Sequence, residues 1–255
     1  MSDDLARWEL SEDGVATLLM DRPEKRNALN GALVEALKDG LARARRDPDV
    51  RVVALRGAGD DFCSGADVDA LERIADAGVE ESLADAQRLG DLFVDMRRHP
   101  KPIVAVVHGR ALAGGCGLAT ACDLVVAHDE AEFGYPEVHL GFVPAMVMTI
   151  LRRKVGEARA FELVTRGHRV RAAEAVRLGL VNRVFLAEAF EEEVRSYLAE
   201  LASRPPSAVA LSKRLLYGLD GLSFEEGIGR GAEVNAIARA TDAARTGVRR
   251  FLDRS

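Results

Sequence analysis

Residues 15 to 20, Val-Ala-Thr-Leu-Leu-Met, are almost wholly apolar and stop at Asp21-Arg22-Pro23, the pattern of a strand closed by a proline turn. The period then lengthens. Leu33, Val34, Leu37 and Leu41 recur at helical spacing behind a cap at Asn27 or Asn30, until Asp47-Pro48 stops the helix. Residues 50–55 form a second buried strand, followed by Gly57-Ala58-Gly59 and a loop of acidic and small residues from Asp60 to Asp67. Leu83, Ala86, Phe93 and Met96 mark another helix, ended by His99-Pro100-Lys101-Pro102, and Ile103–Val107 is the next strand. Beyond residue 137 the pattern is mostly helical. It predicts helices over Ala145–Val155, 157–165, Ala172–Leu178 and 188–202, a short strand within 180–185, a helix begun by Pro205-Pro206, and last helices over 225–252. The glycines at 218 and 221 mark a hinge between a sheet-bearing body and a helical C-terminal segment.

Strand, helix, strand, glycine loop, helix, strand is the alternation of parallel βαβ units, whose ligand sites lie beyond the carboxyl ends of the strands. Both glycine-rich loops are expected directly at such strand ends. The second contains Gly109, Gly114, Gly115 and Gly117, where backbone N–H groups can approach a ligand unhindered at the start of a helix. A helix start leaves donors unpaired and carries partial positive charge, so it suits a developing anion. Glu137, just after Pro136, is the candidate base. Each piece alone has a plainer reading, as a turn or a surface glutamate.

Composition narrows the classes. With 48% hydrophobic residues in 255, the chain can bury a substantial core as one α/β unit or two small ones. Its net charge of −6 comes from 35 basic and 41 acidic residues intermixed, which argues against nucleic-acid or membrane partners. Two basic clusters, Arg43, Arg45, Arg46 and Arg152, Arg153, Lys154, suit a phosphorylated ligand, with solvated helix faces as the simpler reading. Cys63, Cys116 and Cys122 form no CxxC pair or disulfide framework. No apolar run approaches the ~20 residues that span a bilayer, and the start MSDDLARWEL has no signal-peptide core, so a cytoplasmic protein is expected.

Taken in order, VATLLMDRPEKRNALN, FCSGADV, KPIVAVVHGRALAGGCGLATACDLVVA, AEFGYPEVHLGFVPA and LGLVNRV resemble the crotonase (enoyl-CoA hydratase/isomerase) superfamily. The match extends to TDAARTGVRRFLDR near the C-terminus. The resemblance implies an α/β fold with a crotonase-like spiral of ββα units over residues 1–200. It also implies a C-terminal helical trimerisation segment over 201–255, giving a trimer or a dimer of trimers. The implied substrates are acyl-CoA thioesters that react through an enolate, with no cofactor beyond the coenzyme A of the substrate, and no metal.

Residue by residue, the two oxyanion-hole amides of the family fall on Ala66 and Gly114, and its retained carboxylate on Glu137. Asn27, Ala28, Ala66, Asp67, Val68 and Asp69 match segments that line the coenzyme A channel. Asn27 has the alternative reading of a helix cap, and Asp67 and Asp69 that of loop shaping. His139 is expected to be packed or exposed, and Cys116 to be a packing residue without a base. The resemblance also shows departures. Two-carboxylate hydratases carry a second glutamate where this chain has Gly117, and the segment after Glu137 is altered to GFVPAMVM, with Met146 and Met148 reshaping the acyl pocket. One carboxylate suffices for a 1,3-proton shift, whereas hydration divides its proton transfers between two, so Gly117 favours an isomerase. A hydratase working with one glutamate, and a weakly catalytic acyl-CoA-binding protein, are the alternatives.

Overall fold

The computed structural model describes residues 5–67 and 77–253. The strands are β1 (Ala6–Leu10), β2 (Val15–Met20), β3 (Val52–Gly57), β4 (Ile103–Val107), β5 (Arg110–Leu112), β6 (Leu124–His128), β7 (Glu132–Gly134), β8 (Arg169–Arg171) and β9 (Arg183–Phe185). The helices are α1 (Gly31–Arg46), α2 (Val79–Arg98), α3 (Gly114–Ala121), α4 (Ala145–Val155), α5 (Glu157–Arg166), α6 (Ala172–Leu178), α7 (Phe190–Ala202), α8 (Pro206–Gly218), α9 (Phe224–Arg239) and α10 (Asp242–Leu252).

Six strands form the main sheet in the order β1-β2-β3-β4-β6-β9, parallel throughout except for the antiparallel edge pair of β1 with β2. Both faces are covered, which is why its central strands read as unbroken apolar runs; all five residues of β4 are buried. Leu18, Leu55, Ile103 and Val125 face a core shared with Leu33 and Leu37 of α1, Leu92 and Met96 of α2 and Leu118 of α3. Val52, Ala54, Val104 and Val126 point the other way, onto Phe190, Val194 and Leu198 of α7. Strand β1 escapes the sequence pattern because Arg7 and Glu9 punctuate a half-exposed edge. Asn30, not Asn27, caps α1, its side chain accepting from the Leu33 N–H at 2.9 Å.

A second, small sheet of order β5-β7-β8 changes where the glycine loop lies. The sequence places that loop at the end of β4. Instead the chain turns at Gly109, runs through β5, and starts α3 from the end of β5. Two isolated bridges, Leu29 with Ala66 and Cys63 with Ala111, draw the loop after β3 along the edge of this small sheet.

The C-terminal helices dock through α8. Lys213 Nζ reaches Asp123 at 2.7 Å, and the Tyr217 hydroxyl donates to the other Asp123 oxygen at 2.8 Å. Ser223 and Glu226 form a reciprocal capping box that starts α9. Beyond it Val234 is buried, while Phe224, Ile228, Ile237, Val248 and Phe251 are exposed. None of the described helices is long and apolar enough to cross a membrane.

Candidate active site

Between β3 and residue 67 the chain is held by buried polar side chains. Asn27 is fully buried in a left-handed conformation, with φ of 54°. Its Oδ1 accepts from the Arg22 N–H at 2.9 Å, and its Nδ2 donates to the carbonyls of Ala58 and Asp61, each at 2.8 Å. Arg22 in turn donates to the Ala28 carbonyl at 2.5 Å and to the buried Asp67 carboxylate at 2.7 Å. Asp61 takes a two-pronged contact from the Arg110 guanidinium, both bonds 2.8 Å, and a third bond from the Arg110 N–H. Burial pushes the Asp61 carboxyl up, but the hydrogen bonds and charge of Arg110 outweigh it and hold the group below its ordinary value.

These contacts fix the backbone that carries Ala66. The Leu29 N–H donates to Gly65 O at 2.7 Å and the Asp67 N–H to Leu29 O at 3.0 Å, so the intervening Ala66 N–H faces away from that bridge. Gly65, with φ of 104°, sits against the start of α3: a Cβ on it would lie 2.8 Å from Ala113 Cβ and 3.5 Å from Gly114 N. Gly115 is needed for the same close approach, since its Cβ would fall 2.2 Å from Cys63 O. The loop and the helix start therefore touch where Ala66 and Gly114 present their amides. Among the described residues neither N–H has a protein acceptor. Ala113, which enters α3 at φ of 49°, is anchored by its N–H to Gly134 O at 2.9 Å.

Glu137 lies in a 3₁₀ turn, Pro136–Leu140, begun by a proline and closed by left-handed Gly141. It is half-buried, and among the described residues its buried Oε2 has no hydrogen-bond partner. Burial raises the carboxyl above its ordinary value, opposed only by its own backbone N–H. It lies close enough to α3 for its charge to act on the Cys116 thiol. That thiol is pushed up to about 12 by burial, which keeps it protonated and in a packing role. Cys116, Tyr135 and Thr120 hydrogen-bond to one another below the turn: Thr120 Oγ1 donates to Cys116 O at 2.7 Å and meets the Tyr135 hydroxyl at 2.5 Å. His139 is directed to the Gly167 carbonyl at 3.2 Å.

At Gly117 a Cβ would make ordinary contacts, 3.5 Å from Val147 and 3.7 Å from Phe93 Cζ. Backbone crowding does not demand a glycine there; both nearest side chains are buried and apolar.

Of the residues singled out in the sequence, Ala66 and Gly114 come together and Glu137 lies near the helix that Gly114 opens. Asn27 and Asp67 turn their side chains inward as supports, and Ala28 contributes a buried backbone segment. Val68 and Asp69 lie outside the described residues. No local pattern marks Arg22, Asp61 and Arg110 as braces, or the Tyr135–Thr120 contact, because these partners lie 15 to 49 positions apart along the chain. Among the described residues no group of His, Cys, Asp or Glu is arranged to hold a metal.

A half-buried carboxylate thus lies beside a helix whose first N–H, that of Gly114, has no protein acceptor among the described residues, and the surrounding fold is that of the crotonases. The chain belongs to the enoyl-CoA hydratase/isomerase family, whose model matches residues 11–255. A Thermus thermophilus relative described as "Putative enoyl-CoA hydratase" is 41% identical over 246 residues, 96% of this chain and 97% of the relative. A crotonyl-CoA hydratase of Syntrophomonas wolfei is 33% identical over 95% of this chain and 93% of its own. Among solved structures, an enoyl-CoA hydratase of Mycobacterium smegmatis superposes with a TM-score of 0.93 at 33% identity, covering 98% of this chain and 96% of the other. The chain is thus an enzyme of a family that acts on acyl-CoA.

Proposed function

We propose that this enzyme transfers protons beside a CoA thioester, with Glu137 as its acid/base group and the amides of Ala66 and Gly114 as the oxyanion hole. The observation that carries the reading is the buried Glu137 Oε2, which has no partner among the described residues and belongs to a carboxyl whose pKa burial raises. Such a group is poised to exchange protons with carbon. Removing a proton from C2 of a 3-enoyl thioester moves negative charge to the thioester oxygen. Two preorganised N–H donors stabilise that charge, each worth ~3 kcal/mol in comparable sites. Glu137 then returns the proton at C4, and the product is the 2-enoyl ester.

Gly117 favours this one-carboxylate isomerisation over hydration, in which oxygen must lose a proton while C2 gains one. Hydration by Glu137 alone is the second reading, favoured by the hydratase names of the relatives. Asn27, Asp61 and Asp67 act from behind, holding the backbone of Ala28 and Ala66 along the substrate channel. The exposed apolar residues of α9 and α10 suit self-association as a trimer or a dimer of trimers. The intermixed surface charge suits a cytoplasmic enzyme without nucleic-acid or membrane partners.

A panel of short and long 2-enoyl-CoA and 3-enoyl-CoA esters tests the reading. Turnover of either ester, lost in Glu137→Gln, is expected. Tight acyl-CoA binding with no turnover of any ester would instead select an acyl-CoA-binding protein.

A further inference from the structure

Two members of the basic run 152–154 do not behave as a solvated face. Arg153 and Lys154 line a cavity of about 440 Å³ between α2, α3, α4 and α8, together with Arg97 and Tyr217. Its apolar wall includes Phe93 and Ile150. Phe93 is also the side chain whose Cζ lies 3.7 Å from the Cβ position of Gly117. Thr120 and Ala121, in the turn of α3 that follows Gly117, line the cavity as well. The cavity therefore begins behind Phe93, adjacent to the place where the second carboxylate of two-carboxylate hydratases would stand.

The charges inside do not balance. Asp123 is matched by Lys213, which lies at 2.7 Å. Asp220 alone faces both Arg97 and Arg153, the latter at 3.1 Å. Lys154 donates to a neutral group, the Cys122 carbonyl, at 2.6 Å, and burial depresses its pKa. Lys154 also feels the charge of Asp123, so among the described residues four cations, Arg97, Arg153, Lys154 and Lys213, share the two carboxylates Asp123 and Asp220 in a partly enclosed space. Arg97 is held over the Tyr217 ring, 4.1 Å from its centroid, which places its guanidinium in advance. The side chains of Arg97, Arg153 and Asp220 remain 31%, 40% and 41% exposed, accessible to an incoming group.

We propose that this cavity receives the far end of the acyl chain and that this end carries an anion, so that the preferred substrates are CoA monothioesters of α,ω-dicarboxylic acids. An apolar wall followed by two guanidiniums and an ammonium matches a methylene chain ending in a carboxylate, which arginine binds in a planar two-pronged contact. The inference rests on the acyl-CoA reading of the Glu137 site. A free anion such as inorganic phosphate would use the same charges without a thioester, and the experiment separates the two.

Saturated CoA thioesters of matched length, from about four to about eight carbons, ending in methyl or in carboxylate, are titrated calorimetrically into the full chain. At one or more lengths the carboxylate form is expected to bind about tenfold tighter, the scale of one charge-assisted hydrogen bond. Arg153→Leu should reduce that ratio several-fold, Arg153→Lys should restore part of it, and Asp220→Asn, which removes the resident competitor, should raise it. A merely structural latch would leave the ratio unmoved in all three variants. Equal affinity of the two forms at every length would overturn the proposal, as would a ratio that ignores Arg153 and Asp220. Phosphate binding that depends on Arg153, with no carboxylate preference among the thioesters, would overturn it in favour of a free-anion pocket. Because the ligands are saturated, loss of the Glu137 reading would appear separately, as a carboxylate preference in binding with no turnover of any enoyl ester.

Discussion

On one side of the site Asn27 commits its amide to three backbone groups, and Asp61 and Asp67 each hold an arginine. On the other, Glu137 keeps a buried oxygen without a partner among the described residues, in a turn that ends at exposed Leu140 and is followed by exposed Phe142 and Val143. The difference separates two kinds of buried polar group. A satisfied network fixes backbone in place, which is what the proposed pair of amide donors requires. An unsatisfied carboxylate costs stability and is retained where its proton affinity is useful. The braced side is expected to determine folding, and the unpaired side turnover.

Breaking the braced side gives the largest effect. Arg22→Met breaks the buried ion pair with Asp67 and removes the donor to Ala28 O, so the unfolding free energy should fall by ~3–5 kcal/mol. Denaturant titration reads this directly. A loss under ~1 kcal/mol would mean that Arg22 braces nothing.

Glu137→Gln should act in the opposite sense. Turnover is expected to fall at least ~100-fold, with acyl-CoA affinity little changed. The stability sign follows from the raised carboxyl: folded Glu137 holds its proton more tightly than unfolded Glu137, so its contribution is favourable below about pH 4.5 and is lost as pH rises through the folded value. The Gln variant lacks that slope and should be no less stable than the native protein at neutral pH. For the same reason the acid limb of native kcat/KM should have its midpoint above 4.5. A variant that loses stability as Arg22→Met does would erase the contrast between the two sides.

A smaller effect is expected outside the site. Phe224 is 79% exposed at the start of α9. Buried in an assembly it would contribute ~1.5–3 kcal/mol per copy, so Phe224→Ser should weaken association measured by light scattering and leave the unfolding of the body intact. A native protein that is already monomeric at micromolar concentration would remove the trimer from the account.

The sequence revealed some of this contrast and hid the rest. Strand β2 and helices α4 and α6 have the expected boundaries, since a buried apolar run and a glycine-ended helical period are local signals. Strands β5, β7 and β8, three residues each, have no period to detect, and without them the glycine loop reads as leaving the main sheet directly. The motifs single out Ala66, Gly114 and Glu137, and the fold brings the first two together. Asn27 stood out, but its position inside the protein was not visible, because a buried amide and a helix cap look alike until distant carbonyls are placed. The cavity behind Phe93 joins residues from four helices, and nothing local in the run Arg152, Arg153, Lys154 distinguishes the two that line it from the one that does not.

The central claim is that a single carboxylate does the chemistry, and the rates of 3-enoyl-CoA isomerisation and 2-enoyl-CoA hydration, measured side by side in the native protein and in Gly117→Glu, test it most directly. A Cβ fits at 117, and a carboxylate there would lie against Val147 and Phe93, surroundings that raise its pKa and make it a proton donor. The native protein should isomerise faster than it hydrates, and Gly117→Glu should raise hydration selectively. Efficient hydration by the native protein with no isomerisation would contradict the account and show that Glu137, alone or with a group such as Asp69, activates water without a second carboxylate at position 117.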